Sequence, residues 1–313
     1  MNKIMKFNTL KKNFKEGKLD KGKFINRAME FHQQLFDYLE VLIDTDVRKI
    51  SITSDGLCFV IGEEQIMMFV PPNEKRVAPL EIMNFDKYEP NESRLIDKLS
   101  SEAKQIIDIG ANIGYYTIRF AKKYPKSIIH AFEPMNTSYS YLKKNILENN
   151  VESNTYCYNV ALSESCGEID FFVPPTNGTN ASIVNVSGDI NSKKMITKTL
   201  TLDQWCKDQN VIPDFIKCDV EGAELLVFKG GNETLEINKP IIFTELLRKW
   251  SKPYGYHPND MISYFKELGY LCYGISNDGV NLIYKVDNQT IETNFIFVHE
   301  KKHSTIINKL QNM

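Results

Sequence analysis

The sequence predicts an α/β chain built on a mostly parallel sheet with helices on both faces, preceded by a helix-and-hairpin extension. Three observations predict it. After residue 101, short apolar runs alternate with helical patterns, the rhythm of a parallel sheet covered on both faces by crossover helices. Two of these runs, ending at Asp108 and Asp219, stop at an acid and pass through a glycine turn into a helix. Before residue 100 the pattern differs: one long helical period, then short β-rich runs split by turn residues.

In chain order, residues 1–23 read as a basic arm (Lys3, Lys6, Lys11, Lys12, Lys15) broken by Gly17 and Gly22, expected to be flexible or weakly helical. Residues 24–44 place Phe31, Leu35, Leu39, Leu42 and Ile43 three or four apart, the spacing of an amphipathic helix. Ile50 and Ile52, then residues 57–61 and 66–70, form β-rich runs separated by Ser54-Asp55-Gly56 and Gly62-Glu63-Glu64, so hairpins are expected. Residues 90–100 predict a helix leading out of this extension, which spans 24–100.

The main α/β domain is expected over 101–303, with 304–313 as a tail. Its strands are read at 105–109, 127–133, 155–160, 215–219 and 240–245, with closing strands at 270–275 and 295–299 and an edge hairpin at 168–173. Helices are read at 115–123, 137–149, 202–210, 223–229 and 258–268.

Bulk properties exclude several classes. The 313 residues are 42% hydrophobic, enough for a large core, and 38 Lys+Arg against 40 Asp+Glu leave a net charge of −2. That balance gives no global drive toward nucleic acid or an anionic membrane. No apolar run reaches the length of a bilayer-spanning helix, and no apolar segment follows the basic N-terminus as in a secretory signal. Six scattered cysteines without a C-x-x-C pair fit buried thiols in a reducing compartment, so a cytoplasmic location is expected.

The first chemistry-bearing string runs from Ile106 to Tyr115. Gly110-x-Asn112-x-Gly114 follows Asp108, and glycines suit a backbone that turns sharply and approaches a ligand. A dinucleotide fingerprint wants its middle glycine where Asn112 stands, and Asp108 would repel a pyrophosphate while orienting an ammonium. Glu133 ends the next strand about 20 residues on, where an acid commonly bonds ribose hydroxyls. Asn159, at the end of the third strand, is a candidate for an adenine amino group.

The second string, residues 215–224, places Asp219, Glu221 and Glu224 after another strand. Asp219 is expected on the same sheet edge as Asp108 and Glu133, Glu221 in the turn and Glu224 on the first helical turn, where acids also complement the helix dipole. Glu245 ends the following strand, and His257 follows in a loop. Such a rim could supply a base, bond substrate hydroxyls or hold a divalent ion such as Mg²⁺ through Asp219, Glu221 and Glu245.

Together these residues resemble the FkbM-type methyltransferases. The resemblance rests on DIGANIGYYT (108–117), AFEP (131–134), NVALSE (159–164), TLDQW (201–205) and IKCDVEGAE (216–224). It implies a seven-stranded, Rossmann-like class I methyltransferase fold, S-adenosylmethionine as cofactor, and oxygen acceptors on sugars or other small molecules, in glycan or natural-product modification. By that likeness Asp108, Gly110, Asn112, Gly114 and Glu133 bind cofactor, while Asp219, Glu221 and Glu224 line the site. Asp219 or His257 is the expected base, with Glu221 and Glu245 orienting hydroxyls. The extension is expected beside the carboxylate rim or across a homodimer interface. Two alternatives are an NAD-dependent sugar-modifying oxidoreductase and a non-catalytic binding module on the same fold.

Overall fold

A computed structural model describes residues 7–72, 74–173, 193–276 and 279–311. The chain opens with helices α1 (Phe7–Lys15) and α2 (Lys21–Asp44), followed by the meander β1 (Val47–Thr53), β2 (Gly56–Ile61) and β3 (Ile66–Val70). Helices α3 (Ala78–Phe85) and α4 (Pro90–Ser100) lead into β4 (Gln105–Ile109), α5 (Tyr115–Lys123), β5 (Ile128–Phe132), α6 (Asn136–Glu148) and β6 (Thr155–Tyr158). Next come β7 (Ala161–Leu162), β8 (Gly167–Val173), β9 (Lys193–Leu200), α7 (Leu202–Gln209) and β10 (Phe215–Cys218). The remainder is α8 (Glu224–Lys229), α9 (Asn232–Asn238), β11 (Ile241–Glu245), α10 (Arg248–Ser251), α11 (Pro258–Glu267), β12 (Tyr270–Ser276), β13 (Gly279–Leu282), β14 (Asn294–His299) and α12 (Ser304–Leu310).

The large sheet has the order β13-β12-β14-β11-β10-β4-β5-β6. The run β11-β10-β4-β5-β6 is parallel throughout, and β14 runs against both β11 and β12. Seven strands were expected in this sheet; the eighth is β13, whose short segment folds back on β12, with Tyr273 opposite Leu282. Alternate residues of each central strand feed two separate cores. Ile106, Phe215 and Phe243 join the one that also holds Val47, Phe59 and Met68 of the meander. Ile107, Ile216 and Ile242 join the one built with Trp205 and Phe228. Strand β4 lies where the connections diverge, one side leading to β5 and the other paired with β10, so the loops after β4 and β10 face a common crevice.

The meander is fastened to the main sheet by two asparagines. Phe69 N–H donates to Asn145 Oδ1 at 2.7 Å and Asn145 Nδ2 donates to Phe69 O at 3.1 Å. One helical turn later Asn149 repeats the exchange with Met67, at 2.9 and 2.7 Å. Asn145 of α6 and Asn149 at its C-cap thus act as the missing partner strand for the free edge of β3. Arg119 adds ion pairs to Asp97 and Glu64.

The basic arm differs from expectation. Phe7, Leu10 and Phe14 fall at helical spacing among the lysines, so α1 forms and packs on α2: Leu10 is fully buried and Phe14 stacks on Phe24 at 4.5 Å. Four of the cysteines are buried and Cys157 partly so, but Cys166 is exposed. Among the described residues no helix is long and apolar enough to cross a membrane.

Candidate active site

The loop after β4 and the loop after β10 wall an open cleft. Asp108, Gly110, Asn112, Glu133, Asp219 and Glu221 all line it. The Gly loop is shaped by its neighbours. Gly110 and Ala111 N–H both donate to Phe132 O at 3.0 Å. Gly110 has φ +77°, and a Cβ there would collide with the Asp219 carbonyl, so the two loops touch backbone to backbone. Asn112 occupies the left-handed region at φ 52°, a conformation Asn adopts more readily than most residues, which explains how it replaces a glycine. Gly114, at φ 97°, is the N-cap of α5.

Glu133 binds this loop together. Its Oε2 accepts from Asn112 N–H and its Oε1 from Met135 N–H, both at 2.8 Å. Burial raises its carboxyl to about 7, with the two backbone donors pulling the other way. Asp108 is also buried. Thr117 donates to its Oδ2 at 2.6 Å, while Oδ1 lies 3.5 Å from Lys217 Nζ and accepts no hydrogen bond. Asn112 Oδ1 is a second buried acceptor without a donor.

Lys217, to which the motif reading gave no role, sits at the centre. Its Nζ bridges Asp108 and Asp219, at 3.5 and 3.6 Å, and donates to Gly110 O at 3.3 Å. Its own burial opposes charge, but the flanking carboxylates outweigh that and hold it protonated. The signal was a lysine inside an otherwise apolar strand, Phe215-Ile216-Lys217-Cys218, where a buried cation needs partners.

The far rim is different. Glu221 has a left-handed backbone, φ 54°, and burial followed by the charge of Asp219 pushes its carboxyl up to about 8. Glu245 ends β11 outside the cleft lining, yet burial and the charges of Asp219 and Glu221 raise it to about 9. Glu224 lies behind the loop: its Oε1 accepts from Val220 and Gly222 N–H at 3.0 and 3.1 Å, so it positions the turn from behind the cleft wall.

Two expected assignments, His257 as base and the Mg²⁺ site, do not survive, while Asn159 keeps its acceptor. His257 is exposed and caps α11, its Nδ1 accepting from Asn259 N–H at 3.2 Å while Asp260 accepts from its backbone; it is not among the cleft residues. Asn159 donates both amide protons to Glu133 O and Pro134 O, at 2.9 and 3.0 Å, which fixes the side chain and leaves its Oδ1 as the acceptor an adenine amino group would need. Asp219, Glu221 and Glu245 do not assemble as a Mg²⁺ site, since no group of three His, Cys, Asp or Glu able to hold a metal occurs among the described residues.

The extension supplies residues that motif reading missed. Arg76, Ala78 and Tyr88 line the cleft, and Tyr116 donates to Glu89 at 2.5 Å. Burial raises Glu89 to about 7. No local pattern marks these positions, because only the docking of the extension brings them to the cleft.

Residues 108–272 match the model of the methyltransferase FkbM domain. The 2-O-methyltransferase NoeI of Sinorhizobium fredii is 30% identical over 168 residues, 49% of this chain and 67% of that protein. The hexuronic acid methyltransferase AglP of Haloferax volcanii is 28% identical over 144 residues, 46% of this chain and 56% of that protein. A solved methyltransferase FkbM from Methylobacillus flagellatus is similar at 15% identity with TM-score 0.40, covering 62% of this chain and 43% of that one. The chain therefore spans between about half and two thirds of the relatives it matches. Because the matched segment takes in more than half of the chain and holds both loops of the cleft, this chain belongs to the methyltransferase FkbM family.

Proposed function

We propose that this chain transfers the methyl group of S-adenosylmethionine to a hydroxyl of a sugar or a similar small polyhydroxy acceptor. The observation that carries the reading is the pair of buried acids flanking the Gly loop, with Asp108 Oδ1 and Asn112 Oδ1 left as acceptors without donors inside the cleft. A buried acceptor calls for a donor, and a ligand bearing an ammonium and hydroxyls supplies both kinds. Asp108 would face the ammonium of the methionine end. Glu133, whose oxygens each keep a second lone pair, would accept from the ribose hydroxyls. An anionic pyrophosphate would meet two acids there, which disfavours a nicotinamide dinucleotide.

The bound cofactor supplies a methyl group already activated on a sulfonium, so the chain's own work is positioning and proton removal. Asp219, held by Lys217, would orient the acceptor hydroxyl, and Glu221 would take its proton. A carboxylate lifted to about 8 is a stronger base than an ordinary one and better matched to a reluctant alcohol. The names of NoeI and AglP support a sugar acceptor.

The test is binding followed by transfer. S-adenosylhomocysteine should raise the melting temperature and NAD should not. Glu133→Gln should weaken that binding by about 1–3 kcal/mol, the scale of a charge-assisted bond. Incubation with isotopically labelled S-adenosylmethionine and a panel of sugars should give label in a sugar. Stabilisation by NAD alone would overturn the reading.

A further inference from the structure

Helix α2 carries an apolar stripe that the structure leaves in solvent. At 24 residues it is roughly 36 Å long, and α1 covers only one flank of its first half, through Phe7 on Phe31 and Phe14 on Phe24. Ile25, Met29, His32, Phe36, Leu39 and Ile43 follow one another at spacings of four and three in strict alternation. At 100° per residue they fall within a stripe about 80° wide. All six are exposed, the five apolar ones between 46% and 76%. Single exposed hydrophobic residues require no explanation, but an unbroken 3-4 repeat is the seam of a coiled coil.

The charges of the same helix indicate what covers that seam. Lys21, Lys23 and Arg27 lie in its first half, and Asp37, Glu40 and Asp44 in its second, with Glu30 the exception. A helix polarised in this way is complementary to itself when reversed, basic half on acidic half, and the two helix dipoles then also oppose. The stripe is also symmetric about Gln34. Reversal pairs Ile25 with Ile43 of the partner subunit, and Met29 with Leu39 of the partner subunit. It brings Phe36 against His32 of the partner subunit. An anionic lipid surface fits poorly along the second half, where Asp37, Glu40 and Asp44 stand without a Lys or Arg and would repel it. We propose that α2 pairs antiparallel with α2 of a second copy of this chain, giving a twofold dimer closed by a two-helix seam. The proposal is independent of the reaction the cleft performs.

Sedimentation velocity of the 313-residue chain at micromolar concentration should give the mass of two chains. Phe36→Glu with Leu39→Glu should give the mass of one chain, with native helical content by circular dichroism. A single-chain mass for the wild type, or a folded double variant that stays paired, overturns the proposal. Should that variant fail to fold, Lys23→Glu with Arg27→Glu alters two exposed positions and, within the chain, loses the Lys23–Asp20 ion pair at the start of α2. Weaker pairing then supports the seam, and unchanged pairing overturns it. Orientation is read by disulfide formation in a Cys166→Ser background, which removes the exposed thiol. Ile25→Cys and Ile43→Cys should cross-link only when mixed. Self-linking of either variant alone overturns the antiparallel arrangement.

Discussion

The two rims of the cleft treat negative charge in opposite ways. On the β4–β5 side, both Glu133 oxygens are met by backbone N–H groups, and Asp108 is held by Thr117 and Lys217. On the β10–β11 side, Asp219 shares that lysine, while the Glu221 and Glu245 carboxylates accept no hydrogen bond from the described residues and both face the charge of Asp219. The first rim is fixed before any ligand arrives, as suits a group that must recognise one shape. Burial lifts Glu133 to about 7, but the acids of the second rim, with like charge and no hydrogen bond to offset it, are pushed higher, to about 8 and 9, as suits groups that exchange protons.

The contrast is broken most severely at Gly110, where the rims touch. Gly110→Ala adds a Cβ against the Asp219 carbonyl in a left-handed backbone, so it should separate the loops and weaken S-adenosylhomocysteine binding by about 100-fold or more. Calorimetry showing near wild-type affinity would mean the loops can part without harm. Next in size, Asp219→Asn and Glu221→Gln should each lower turnover by about 10²-fold, the scale of losing a general base, with cofactor binding nearly kept. A loss of binding equal to the loss of turnover would place these acids on the cofactor side instead.

Stability against pH sharpens the comparison further. Glu221 and Glu245 are lifted to about 8 and 9, above the ordinary carboxylate range, so between about 4.5 and those values the folded state binds more protons than the unfolded one. Their contribution is fully present below the unfolded pKa and is lost as pH rises through 8 to 9. The melting temperature should therefore fall across that window. Glu245→Gln should flatten the fall and raise the melting temperature at pH near 9 by roughly 2 °C or more. A fall unaltered by the substitution would assign it to other groups. The smallest effect is expected at His257. His257→Ala should cost about 0.5–1 kcal/mol as a lost helix cap, read by denaturant titration, with turnover changed less than about threefold.

What could be read from the sequence follows from how local its cause is. Strand, acid, glycine turn and helix are consecutive in the chain, so Asp108, Gly110, Glu133 and Asp219 were placed on one edge by pattern alone. Strands β4 and β3 and helix α4 were bounded correctly, since their apolar runs end at turns or prolines. His257 misled because a polar residue at an element's end looks the same whether it faces a ligand or caps the backbone. Strand β9 was missed because lysine and threonine dominate a strand that pairs in a small side sheet away from the main core. Lys217 was visible as a letter, but its bridging role depends on two strands lying side by side.

The asparagine pair at the end of α6 has one further consequence, for solubility. Strand β3 reads Ile-Met-Met-Phe-Val, an uncharged apolar run at the edge of its sheet, the kind of segment that recruits identical chains into β-aggregates. Asn145 and Asn149 occupy the polar backbone groups of Met67 and Phe69 that such recruitment would use. Glu63 and Glu64 ahead of the strand and Pro71-Pro72 behind it guard its ends. Once α6 lifts away during heating or slow folding, this edge is bare. While α6 is docked, the Asn145 and Asn149 side chains keep this edge from pairing with another copy of itself.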